Sequence, residues 1–150
     1  MNPEIKESIH QFCLQTIQER IKEIGLAVEL AQEAIESDTK GSAGDKYETS
    51  REMLQQDLTR YANQLLLAKE DLALLSSIDR TSKRLIGLGS LVETNQGIYY
   101  ISIGIGKVEL ADTIYYAISP LSPLAKVLNG RQINEEVSFN SKRFLIENIT

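Results

Sequence analysis

The stretch Ile17-Gln-Glu-Arg-Ile21-Lys-Glu-Ile24-Gly-Leu-Ala-Val28-Glu-Leu-Ala31-Gln-Glu-Ala-Ile35 decides the fold. With Leu14 before it, its apolar residues Leu14, Ile17, Ile21, Ile24, Val28, Ala31 and Ile35 recur alternately three and four positions apart. That heptad repeat places one apolar stripe along a slightly underwound helix. A second stripe has the same alternation: Leu54, Leu58, Tyr61, Leu65, Ala68, Leu72 and Leu75. No proline lies between Glu4 and Arg80, so nothing in the backbone interrupts either helix.

The two stripes are mirror images. Ile35 matches Leu54, Ala31 matches Leu58, Val28 matches Tyr61 and Ile24 matches Leu65; Ile21 then matches Ala68, Ile17 Leu72 and Leu14 Leu75. Each pair of numbers sums to 89. An antiparallel pair produces this relation, because each step down one helix is a step up the other. The small-against-large layers, Ile21 with Ala68 and Ala31 with Leu58, suit close helix packing. Extending the sum by one layer at each end predicts that Asp38 faces Arg51 and that His10 faces Asp79.

The pivot falls between Gly44 and Asp45, inside Ser37-Asp-Thr-Lys-Gly-Ser-Ala-Gly-Asp45, a run of turn formers. Arms of roughly 33 residues would reach ~45–50 Å, a rod projecting from a smaller body. Asp45 and Glu48 open the second helix three positions apart. Two readings stand side by side. An acid at the N-cap with Glu at the third helical position is a variant of the capping box, favoured further by the helix dipole. Alternatively the two carboxylates share a divalent ion. Mg²⁺ wants more oxygen ligands than two acids supply, so such a metal would need ligands from a partner.

Composition narrows the class. The chain has 150 residues, 42% hydrophobic and 25% charged, with net charge -5. No apolar run approaches the ~18 residues of a membrane span. Met1-Asn2-Pro3-Glu4 lacks the basic-then-apolar order of a signal peptide, so the expected location is cytoplasmic. Cys13 is the single cysteine, which rules out an intrachain disulfide and a cysteine-based zinc site. Residues 1–79 hold fifteen acids and eight bases, whereas residues 80–150 hold six acids and eight bases. The acidic half is poorly suited to gripping nucleic-acid phosphates. Glycine content rises at the same place, which sets the boundary between a hairpin over 1–79, with its tip near 38–48, and a second domain over 84–150.

The second domain reads as β-rich. Leu88–Glu93 and Ile98–Ile103 flank Thr94-Asn95-Gln96-Gly97 as a hairpin, and Thr113–Ile118 is a further strand. Ser122 is a good N-cap, Pro123 suits the first helical position, and Gly130 suits the stop after Leu124–Asn129. Glu136–Phe139 and Arg143–Ile149 form a last pair around Asn140-Ser141-Lys142.

Ile118-Ser-Pro-Leu-Ser-Pro-Leu-Ala-Lys-Val-Leu-Asn-Gly130, followed by Asn134-Glu-Glu-Val-Ser-Phe139, resembles the C-terminal signature of the bacterial Gre factors, the GreA/GreB family. Gly44-Asp45-Lys46-Tyr47-Glu48 is similar to the Gly-Asp-x-x-Glu at the hairpin tip of that family. The resemblance spans nearly the whole chain. It implies an α+β fold, with an N-terminal antiparallel coiled-coil hairpin and a C-terminal FKBP-like domain. It also implies a partner, bacterial RNA polymerase, entered through its secondary channel. The tip acids Asp45 and Glu48 would help hold the second catalytic Mg²⁺, which cleaves the 3′ end of backtracked nascent RNA. Ser122, Pro123 and Leu124 would contact the channel rim. The protein would be no enzyme by itself.

Two features depart from the family pattern. Thr49, Ser50 and Arg51 do not follow its Asn-Ala-containing continuation, and the hairpin is acidic where Gre factors often carry a basic patch. They keep two other functions in view: a secondary-channel regulator or inhibitor without cleavage activity, and a coiled-coil adaptor whose tip acids only cap a helix. Remaining candidates are weak. His10 and Cys13 sit three apart but lack the orienting third group a nucleophile needs. Gly104-Ile-Gly106 is a fragment of a phosphate loop with no helix expected after it. Tyr99-Tyr100 and Tyr115-Tyr116 should alternate across a sheet.

Overall fold

The computed structural model describes residues 3–39 and 45–150, and the side chains of 3–37 and 49–150. Two long helices come first, α1 (Pro3–Thr39) and α2 (Asp45–Ser77). They are followed by β1 (Leu91–Thr94), β2 (Ile98–Ile101), β3 (Gly106–Leu110), β4 (Thr113–Ile118), the short helix α3 (Pro123–Leu128), β5 (Glu136–Phe139) and β6 (Lys142–Ile149). The fold is α+β, as expected: a helical hairpin, then a mixed β-sheet domain. The chain forms two compact units, Thr16–Leu72 and Met1–Gln15 together with Ala73–Thr150.

In the helical unit, burial follows the heptad positions. Ile17, Ile24, Ala31 and Ala68 are buried, and Ile21, Val28, Ile35, Leu54, Leu58, Tyr61, Leu65 and Leu72 are half-buried. Leu54 and Tyr61 line one groove with Ala31. Leu58, the predicted partner of Ala31, lies between them on α2, so the register summing to 89 fits this groove. The predicted Asp38–Arg51 pair involves a side chain outside the described residues.

In the second unit the strand order is β3-β4-β2-β1-β6-β5. Only the β2–β4 pairing is parallel. Val92, Ile101, Phe144 and Ile146 from the sheet, with Ala125 and Leu128 from α3, form the core of this domain. The tyrosine pairs alternate as expected: Tyr100 and Tyr115 are buried, while Tyr99 is half-buried and Tyr116 exposed.

Several strand bounds differ from expectation, and β2 ends at Ile101 rather than Ile103. β1 starts at Leu91 rather than Leu88, because Gly87, Gly89 and Ser90 form a turn first. Ser90 donates its amide to the Gly87 carbonyl, and Gly89 takes φ +87°. A Cβ on Gly89 would lie 2.7 Å from Ile78 and 2.8 Å from the Asp79 carbonyl, so glycine permits this close approach. β3 was not expected as a strand, and its first residue Gly106 belongs to the weak phosphate-loop fragment. No helix follows those glycines, in keeping with the expectation.

Ile24→Ala should lower the unfolding free energy by about 2–4 kcal/mol, because it deletes a buried seam residue. Leu66→Ala, at a 58% exposed position, should change it by no more than about 0.5 kcal/mol. Urea denaturation of the two variants measures both.

Candidate functional site

Asp45 is the first residue of α2, and Glu48 lies in its opening turn. Their side chains lie outside the described residues. Among the described residues no group of three or more His, Cys, Asp or Glu is arranged to hold a metal. Two carboxylates alone are a thin donor set for Mg²⁺, which takes six oxygens and keeps several as water. They fit that ion only as part of a larger ligand set.

The second candidate region is the turn that leads into α3. Ser122 is its N-cap, with extended backbone angles, and its hydroxyl accepts from the Ala125 amide at 3.3 Å. The same hydroxyl donates to the Ser119 carbonyl at 2.7 Å, and the Ser119 hydroxyl accepts from the Leu121 amide at 3.1 Å. Pro123 occupies the first turn of the helix, where its missing amide hydrogen costs nothing. These bonds leave the three predicted contact residues in different situations. Pro123 is exposed, Ser122 is half-buried in its capping role, and Leu124 packs partly against the domain core. The most available apolar group is one that the sequence reading passed over. Leu121 is 76% exposed, the highest value among the large hydrophobic residues described. The one signal for it was a leucine inside a turn of serines and prolines, where no core face requires it.

A third cluster joins the start of α1 to the sheet within one unit. His10 Nδ1 lies 2.8 Å from the Tyr100 hydroxyl, and an Arg80 guanidinium nitrogen lies 3.1 Å from His10 Nε2. Arginine can only donate, so Nε2 accepts and the neutral ring carries its proton on Nδ1, donating to Tyr100. Arg80 also donates to Glu7 at 2.6 Å. Nearby, the buried Lys6 ammonium donates to the Thr150 carbonyl at 3.1 Å. Burial, then the Arg80 charge, holds the His10 pKa below its usual value. The hydrogen bond from Arg80 lowers that of Glu7. The predicted His10–Asp79 pairing is therefore replaced. Asp79 instead accepts from the Thr81 amide at 3.0 Å. The sum of 89 holds only while both helices continue, and α2 ends at Ser77.

Cys13 is buried, and desolvation pushes its thiol up to about 11. It stays protonated near neutrality, so it is no nucleophile. Among the described residues no helix is long and apolar enough to cross a membrane.

No family model matches the chain, and no curated protein matches it. Among solved structures, it is similar to GreA factor homolog 1 (Gfh1) of Thermus thermophilus at 19% identity and TM-score 0.38, covering 91% of this chain and 94% of that one. A second structure, described as the transcription factor Gfh1, is similar at 19% identity and TM-score 0.36, covering 91% and 92%. Similarity this low assigns no role to any residue, so function rests on the residues of this chain.

The His10 cluster sets a pH dependence. A folded-state pKa held below the unfolded value of about 6.5 means that the unfolded chain binds the extra proton. This stability is present above about pH 6.5 and is lost as pH falls through the lowered folded pKa. Denaturant titrations between about pH 7 and pH 5 should show that fall, and His10→Gln should flatten it. Tyr100→Phe should cost about 1–3 kcal/mol near neutrality, because it leaves the Nδ1–H of His10 buried without an acceptor.

Proposed function

We propose that this chain is a Gre-type factor that binds bacterial RNA polymerase, with its hairpin in the secondary channel, and promotes cleavage of backtracked transcripts. The observation that carries this reading is the position of Gly44-Asp45-Lys46-Tyr47-Glu48. Its acids open α2, between two arms whose heptad stripes mirror each other in sequence. The same chain carries the Ser-Pro turn of the resemblance, built as a bonded N-cap with exposed Pro123 and Leu121 beside it. In this reading Asp45 and Glu48 contribute two carboxylates to a Mg²⁺ ion. Polymerase and water supply its other ligands, as the ion's coordination demands. The metal supplies charge stabilisation for phosphoryl transfer. The chain brings its acids to the reacting phosphate and has no activity without polymerase. Leu121 and Pro123 supply the apolar contact at the rim, with Ser122 and Leu124 holding the turn in shape. Such a partner places the protein in the cytoplasm.

A second reading has its own support. Residues 16–72 contain twelve acids and seven bases, so the helical unit carries the whole net charge of -5. An acidic shaft repels RNA phosphates instead of steadying them, which suits a regulator that occupies the channel without promoting cleavage.

Stalled, backtracked polymerase carrying end-labelled RNA separates these readings. Cleavage stimulation predicts shortened RNA on adding the chain with Mg²⁺. Asp45→Ala or Glu48→Ala should reduce that shortening by at least about tenfold without preventing binding. Binding without shortening would establish the regulator, and no association with polymerase would leave only a coiled-coil adaptor. Leu121→Ser should weaken binding to polymerase by about tenfold, as the loss of an exposed apolar anchor does.

A further inference from the structure

A two-helix seam covers its apolar positions only in part. Toward the turn, Val28, Ile35, Leu54, Leu58 and Tyr61 are half-buried at their seam positions. Beside them α1 presents a second apolar row. Leu26 is 53% exposed and Leu30 is 67% exposed, one helical turn apart. Leu30, Ala31, Leu54 and Tyr61 border an open groove of about 300 Å³ on this face. Exposed leucines adjoining such a groove make an apolar patch of the kind that a partner covers.

Charge identifies that helix. From residue 23 to residue 39 α1 carries Glu23, Glu29, Glu33, Glu36 and Asp38 and no lysine or arginine. Glu23 and Glu33 each stand three positions beyond one end of the leucine pair, and the single base beside them, Lys22, stands four positions before Leu26. Across the groove Asp57 is another lining residue, held by Arg60 at 3.1 Å. A second copy of this chain would set these acids against themselves. A partner with lysines or arginines flanking an apolar seam would match both features.

We propose that the Leu26–Leu30 face is a docking site for a basic-flanked amphipathic helix of a partner protein. This goes beyond the acids of the hairpin tip, and it stands or falls independently of transcript cleavage. Apolar contact at Leu26 and Leu30 supplies the affinity, and the surrounding acids select the partner and its orientation.

The test uses the full chain and a fluorescently labelled 18-residue helical peptide of leucine and lysine, patterned with one apolar face. Anisotropy should show binding that weakens with added salt. A leucine–glutamate peptide of the same pattern, and a scrambled leucine–lysine peptide, should bind at least tenfold more weakly. Leu26→Ser combined with Leu30→Ser should weaken binding at least tenfold, while thermal melting stays that of the parent because both side chains are exposed. Equal binding to the double variant, equal binding of the scrambled peptide, or no binding at all would overturn the proposal. So would sedimentation showing a dimer that Leu30→Ser dissociates, since a second copy would then be the occupant. A parent chain that binds the peptide but never shortens RNA would count against cleavage stimulation alone.

Discussion

Within the helical unit, Ile17, Ile24 and Ala31 on one helix and Ala68 on the other are the buried positions of a two-helix seam, and the rest of the unit follows from their spacing. Alternating steps of three and four hold each stripe in line, and the mirror relation sets the register. The register determines which residues stand at the return of the chain. Asp45 opens α2 because the stripes run out on both sides of it, so the acids owe their place to apolar residues far from them in sequence. A one-residue slip would turn the seam away from its partner and move the acids with it.

The other unit is stabilised differently. The first residues of α1 belong to it, and they meet the sheet through polar groups under cover: Lys6 on the Thr150 carbonyl, and His10 between Tyr100 and Arg80. A neutral histidine that donates on one side and accepts on the other satisfies three residues at once. Its cost is sensitivity to a proton, since imidazolium could no longer accept from Arg80. Gly89 matters for a related reason, because Ile78 and Asp79, just past α2, can approach the turn before β1 this closely only where no Cβ intervenes.

Much of this was legible in sequence, where the determining pattern was periodic. The seams, β4, β5 and the capped helix α3 have the predicted bounds to within a residue. β3 was not legible. It follows two closely spaced glycines, and it turns into β4 through Ala111 and Asp112, both with positive φ and neither being the glycine that usually marks such a turn. The partners of His10 were missed because the layer sum applies only between two continuing helices. Leu121 was missed because a single exposed residue in a turn has no period to reveal it. For Asp45 and Glu48 the sequence places both at the opening of a helix, but capping and metal binding ask for the same residue types at the same spacing. No pattern within the chain separates them.

The central claim is that the start of α2 works beside the catalytic centre of RNA polymerase. Cys13 is buried with its thiol held protonated, so a cysteine introduced by Thr49→Cys can be labelled selectively. An iron chelate attached there generates hydroxyl radicals that cut whatever lies within reach. In complex with backtracked polymerase, the account predicts cuts in the polymerase segments around its catalytic Mg²⁺ and at the RNA 3′ end. Cuts confined to the outer surface of polymerase, or none above the level of free chelate, would contradict it.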